Sequence, residues 1–148
     1  LENVLYPARY EECIAVGSYS SSMIKDRSLF SSWGESLDIM APGEQILSTF
    51  LNGTYAVMSG TSMAAPAVTA VIALIISFNR NAGKKLTVEQ IKSMLYSSAI
   101  DVHSPGKDNQ YGWGIINPES IFSLNSIKVV QKQNPIAKFF SKFINLFK

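Results

Sequence analysis

The 148-residue sequence predicts an α/β fold, and three observations predict it. Four short apolar or alternating runs come first, parted by Ser, Gly, Asn and Pro clusters that mark turns. A long apolar helix follows, opening on Gly60-Thr61-Ser62-Met63-Ala64-Ala65-Pro66, and an amphipathic helix comes after it. With 47% hydrophobic residues the chain is apolar and long enough to build one domain around a core, which excludes a disordered polymer.

Taken in order, the expected strands are Cys13 to Tyr19, Leu37 to Met40, Gln45 to Phe50 and Tyr55 to Met58. Cys13 is the single cysteine, so no internal disulfide framework exists. It opens the apolar run to Val16 and reads as a buried small hydrophobe, with no basic partner nearby in sequence to make it a reactive thiol.

The first helix is expected from about Ser62 to Phe78, with Pro66 in its first turn, where a missing N–H costs nothing. Val68, Val71, Ile72, Leu74, Ile75 and Ile76 cover nearly every face, so the helix is expected to be buried on all sides. Its 16 residues from Met63 to Phe78 fall short of the roughly 20 that a membrane span requires. The loop Asn79 to Lys85 is polar and basic. Thr87 and Gln90 then form a capping-box pair at the start of the second helix, whose apolar stripe is Val88, Ile91, Met94 and Leu95. The sequence holds no internal repeat, no zinc-spaced Cys/His cluster and no glycine-rich phosphate loop.

Charge divides the chain. Residues 1 to 125 carry 8 basic and 11 acidic groups, whereas Ser126 to Lys148 hold five lysines and no acid. An acidic body with few lysines argues against nucleic acid as a partner. Residues 125–134 read as a linker. In 135–148, Ile136, Phe139, Phe140, Phe143, Ile144 and Phe147 fall at helical spacing opposite Lys138, Ser141, Lys142 and Asn145. Such a basic amphipathic helix suits an anionic membrane surface or the packing of its phenylalanine face on another domain.

The chemistry concentrates at Ser62. A serine at a helix start faces N–H groups that have no intrahelical acceptor, and their partial positive charge suits an oxyanion formed beside it. Gly60 lets a substrate chain approach the backbone. A serine hydroxyl still needs a base. The only histidine, His103, precedes Ser104-Pro105-Gly106 in a polar loop and reads as an exposed loop residue instead.

Gly60 to Pro66 resembles the serine motif of the subtilisin-like serine proteases, and other motifs follow in family order. Tyr6-Pro7-Ala8-Arg9-Tyr10 with Ile14-Ala15-Val16-Gly17, Phe30-Ser31-Ser32-Trp33-Gly34, Leu37-Asp38-Ile39-Met40-Ala41-Pro42-Gly43 and Tyr111-Gly112-Trp113-Gly114-Ile115-Ile116-Asn117 are all similar to it. The resemblance covers roughly residues 3 to 124. It implies the C-terminal part of a three-layer fold with a parallel sheet and a buried central helix, residues 1–124 forming that part of a peptidase domain.

By the same resemblance Ser62 is the acyl-forming nucleophile, Thr61 shapes the oxyanion hole, Gly60 leaves room for substrate, and Leu5 floors the pocket for the side chain before the cut. Met63 occupies a position prone to oxidation in the family. Ala67 departs from the family's usual histidine after the proline. The triad runs Asp, His, Ser in this family, and neither earlier member, nor the oxyanion asparagine, has a matching motif in the 61 residues before Ser62. The chain therefore reads as a fragment, inactive alone, whose partners would be a peptide or protein substrate and an N-terminal half carrying Asp and His. A noncatalytic pseudoprotease remnant or binding partner is the competing class. No cofactor is required, but Asp38 with the carbonyls of Ala8, Tyr10 and Cys13 matches positions where family members bind calcium or sodium. The family context implies a secreted or cell-surface bacterial protein, with a cytoplasmic one as the alternative.

Overall fold

The computed structural model describes residues 3–20 and 26–121. The linker 125–134 and the amphipathic tail 135–148 lie outside them. The described residues form, in chain order, β1 (Val16–Tyr19), β2 (Ile39–Pro42), β3 (Ile46–Phe50), a 3-10 turn (Leu51–Gly53), β4 (Thr54–Met58), α1 (Thr61–Asn81) and α2 (Val88–Ser97).

Strands β1 and β2 pair in parallel, Val16 opposite Ile39 through Tyr19 opposite Pro42. On the far edge of β2, Met40 donates to the carbonyl of Gly114 and accepts from the amide of Ile116, both at 2.9 Å, which adds Ile115 as a parallel bridge. Successive strand residues point to opposite faces. Ile39 and Ala41 therefore meet Ala64, Val68, Val71 and Ile75 of α1 and Leu95 of α2, while Met40 joins Ala15, Tyr19, Leu37 and Ile115 in a second cluster. Both faces of the sheet are thus covered, as a parallel sheet requires.

The boundaries shift from expectation for local reasons. Strand β1 begins at Val16 because Cys13 is spent in a turn, its amide donating to the carbonyl of Tyr10 at 3.0 Å. Cys13 is half-buried, not fully enclosed. Leu37 is buried ahead of β2, and Asp38 is diverted to accept from the amide of Ala15 at 2.9 Å. Helix α1 extends further at both ends. The buried Asn79 keeps its C-terminal end helical by donating Nδ2 to the carbonyl of Ile75 at 2.9 Å, and Gly83 follows at φ +73°.

Burial of α1 follows one stripe, Ala64, Val68, Val71, Ile75 and Asn79, with Thr69, Ala73 and Ser77 exposed. All-round burial is therefore not seen among the described residues: the sheet and α2 pack against the buried stripe. At 21 residues it is also long and apolar enough to cross a membrane by length and composition, contrary to the shorter helix expected. Its packed stripe on β1 and β2 places it in the core instead. Helix α2 starts as expected: the Thr87 hydroxyl accepts from the Gln90 amide and the Gln90 side chain accepts from the Thr87 amide. The β3–β4 hairpin pairs antiparallel and exposes both faces, including Leu47, Tyr55 and Val57.

Candidate active site

Ser62 is the second residue of α1 and is exposed; Thr61 and Gly60 beside it are half-buried. The carbonyl of Gly60 accepts from the amides of Met63 at 3.0 Å and Ala64 at 3.3 Å, which makes Gly60 the N-cap. The amides of Thr61 and Ser62, in the first turn, have no intrahelical acceptor. No acidic side chain lies in the first turn to offset the positive helix end. The three residues read from the sequence as one functional turn are brought together as one.

Pro66 acts differently from expectation. Since α1 begins at Thr61, Pro66 is its sixth residue and not a first-turn residue. The donor it lacks is the one that would have met the carbonyl of Ser62, four residues back. The proline thereby withholds the usual helix bond from the peptide group of Ser62 itself.

What fixes this turn in space escaped the sequence reading. The amide of Gly60 donates to the carbonyl of Gly43 at 2.7 Å, and the Ser59 hydroxyl accepts from the amide of Gln45 at 2.9 Å. The segment after β2 thus straddles the residues that lead into α1. The signal available in the sequence was Ala41-Pro42-Gly43, whose glycine has a spatial reason. A Cβ on Gly43 would run into the Ser18 hydroxyl and come within 2.6 Å of the Gly60 carbonyl.

The remaining predicted positions stand on other loops. Leu5 is 62% exposed on a loop pinned by buried Val4, its carbonyl accepting from the amide of Arg9. His103 stays in its own loop, with Nδ1 3.2 Å from the Ser104 hydroxyl and 3.5 Å from Asp108 Oδ2. That loop is tightened by Asp108, which accepts from the amides of Ser104, Gln110 and Tyr111. Burial pulls the Asp108 carboxyl up, but those three donors outweigh it and leave its pKa below the ordinary value.

Three of the four residues considered for a cation already accept from other donors. Asp38 accepts from Ala15 and pairs with Lys107 at 3.3 Å, and Tyr10 accepts from Cys13. Lys92 Nζ lies 3.4 Å from the carbonyl of Cys13 and 2.8 Å from that of Glu11. Ala8 packs against the second core cluster. Two of those oxygens, Asp38 Oδ1 and the carbonyl of Cys13, thus lie within 3.4 Å of a lysine ammonium. Near Asp38, burial and then the Asp38 charge push the Tyr96 phenol well above its usual range.

Comparison with known proteins settles the family. The model of the subtilase family matches residues 1–114. The chain belongs to the subtilase family. This is a family of serine proteases, and the expected α/β fold is confirmed by the solved structures that resemble it. Subtilisin DY of Bacillus licheniformis is 41% identical over 115 residues, which cover 78% of this chain and 39% of that protein. Subtilisin E of Bacillus subtilis (strain 168) is 43% identical over 115 residues, 78% of this chain and 28% of its own length. A lanthipeptide protease superposes with a TM-score of 0.73 at 27% identity, over 80% of this chain and 43% of that one. The prenylagaramide maturation protease PagA gives 0.69 at 31% identity, over 80% and 44%. The subtilase chain described here thus spans less than half the length of each of these relatives.

Proposed function

We propose that the chain supplies the nucleophile of a serine endopeptidase, with Ser62 attacking the scissile carbonyl and forming an acyl-enzyme. The observation that carries this reading is the exposed Ser62 in the first turn of α1, whose amides have no intrahelical acceptor and whose first turn holds no acidic side chain. In the reaction the Ser62 oxygen bonds to the carbonyl carbon while its proton passes to a base. The negative oxygen so formed accepts from the Ser62 amide, with Thr61 shaping the hole, and collapse expels the amine. Gly60 leaves room for the substrate chain and Leu5 limits the pocket before the cut.

The base and its orienting carboxylate would come from residues outside 1–148. The support is that His103, the only histidine, is engaged within its own loop and that the match covers 39% of subtilisin DY. The substrate we favour is a peptide precursor cut once by a bacterial enzyme acting outside the cell or at its surface. Of the solved structures named above, one is a lanthipeptide protease and the other a prenylagaramide maturation protease, and both sequence relatives are bacterial.

A fluorophosphonate that labels activated serines tests the reading. With an N-terminal subtilase portion carrying Asp and His supplied, Ser62 is expected to label and Ser62→Ala to abolish the signal. The chain alone is expected to remain unlabelled. Absence of labelling in the complemented protein would favour a noncatalytic remnant.

A further inference from the structure

Three serines with no place in the chemistry above are buried together. Ser18 and Ser31 are fully enclosed and Ser28 is 2% exposed. The hydroxyls of Ser18 and Ser28 share a hydrogen bond at 2.9 Å. The amide of Ser18 donates to the Ser31 hydroxyl at 3.0 Å, and the carbonyl of Ser18 accepts from the amide of Ser28 at 2.9 Å. The Ser31 hydroxyl donates onward to the carbonyl of Ser32, and the amide of Ser31 closes back on the carbonyl of Ser28. Each hydroxyl has a partner, so the cage can be buried without a desolvation penalty, and its geometry is over-determined.

One side of this cage packs against Gly43. The Ser18 side chain fills the space over Gly43 so closely that a Cβ there would collide with its hydroxyl and lie 3.0 Å from its Cβ. Gly43 is itself buried, its amide donating to the carbonyl of Tyr19 at 3.3 Å and its carbonyl accepting from Gly60. A continuous path therefore runs from the Ser18–Ser28 pair through the Gly43 backbone to Gly60, the residue that caps α1 two positions before Ser62.

We infer that Ser18, Ser28 and Gly43 are positioning residues that seat the turn carrying Ser62. The inference rests on the reading of Ser62 as nucleophile. It deepens that reading by assigning its placement to side chains outside α1. A displacement of an ångström at a reacting atom is enough to cost a large factor in rate, which is why a fixed seat for Gly60 matters.

Two measurements separate seating from general stability. In the full chain, amide exchange at Gly60 reports the bond to Gly43, and the amides of Val71 and Ile75 report α1 as a whole. Gly43→Ala is expected to speed exchange at Gly60 at least about tenfold with Val71 and Ile75 unchanged. In the complemented protein the same variant is expected to slow fluorophosphonate acylation at least about tenfold while the reagent's apparent affinity stays within about twofold. If Gly43→Ala does not fold, Ser18→Ala carries the test. It leaves the Ser28 hydroxyl buried and unpaired, and the double variant Ser18→Ala/Ser28→Ala removes that penalty and is expected to regain stability but not the acylation rate.

Unchanged exchange at Gly60, or exchange that rises equally along α1, overturns the seating role. So does an acylation rate that survives in a folded variant. Failure of Ser62 to label at all would instead strike the proposed function and leave the exchange result standing.

Discussion

Lys92 of α2 reaches the carbonyl of Glu11 with its ammonium at 2.8 Å, across 81 residues of sequence. The same nitrogen lies 3.4 Å from the carbonyl of Cys13, so one cation on a helix ties down the loop that leads into β1. A lysine in this position is a permanent occupant of carbonyl oxygens that a hard metal ion would otherwise attract.

Lys92→Ala is expected to lower the melting temperature and to create a dependence on calcium. Millimolar calcium should leave the parent chain's melting temperature unchanged and raise that of the variant. Thermal unfolding of both proteins with calcium and with chelator checks this, and a calcium-induced rise in the parent would show that the lysine is readily displaced.

Acid weakens the loop 101–113 through Asp108. Its folded pKa is depressed from 3.8, so the unfolded chain binds the proton more readily. The carboxylate's stabilisation is therefore complete above the unfolded value and is lost as pH falls through the lower folded value. Asp108→Asn is expected to lose about 1 kcal/mol at neutral pH, since a neutral acceptor bonds the three amides less strongly. It should also flatten the fall in stability below about pH 4. Urea unfolding at pH 7 and in acid checks both statements.

The cap of α2 is local and can be removed cleanly. Thr87→Ala deletes the acceptor for Gln90 and is expected to cost about 1 kcal/mol, while Thr87→Ser is expected to cost much less. Chemical denaturation of the two variants gives the comparison.

One stripe of α1 holds the core. Ile75 is fully buried and Ser77 is exposed. Ile75→Ala is expected to destabilise by about 2 to 5 kcal/mol through the cavity it leaves. Ser77→Ala should stay within about 0.5 kcal/mol, as surface changes do. Equal losses at the two positions would mean that the outward face is packed in solution.

The amphipathic pattern of 135–148 is read from sequence and makes its own prediction. The full chain is expected to bind vesicles of anionic lipid at low salt, more weakly as salt rises. Replacing Phe139, Phe143 and Phe147 by serine should remove most of that binding. Cosedimentation with anionic and with neutral vesicles separates this from docking on a protein domain.

Local features were the legible ones. The capping box of Thr87 and Gln90 depends on residues three apart, and the turn of Gly60 to Ser62 is contiguous; both appear as read. The start of α1 was harder, because Gly60 caps it through backbone in an extended conformation that no side chain announces. Pro66 was misread because, counted from Thr61 or from Ser62, it lies beyond the first turn, where its missing donor faces the carbonyl of Ser62 four residues back. The role of Lys92 was hidden because its partners are main-chain carbonyls, which every residue has. Gly43 and Ser18 were hidden because their signal is a lack of space between segments distant in sequence, and spacing patterns along a chain carry no record of that.

Met40 receives its second set of partners only from Gly114 and Ile116. During synthesis, then, β2 must wait with one edge unpaired until almost all of the described chain has left the ribosome. Helix α1 and the exposed hairpin are complete long before. A contact of such long range makes folding slow and leaves an open strand edge available to neighbouring chains in the interval. Residues 114–116, the last of this pairing to be made, are thus the ones that cover the edge of β2, and a chain halted before residue 114 would leave that edge open to its neighbours.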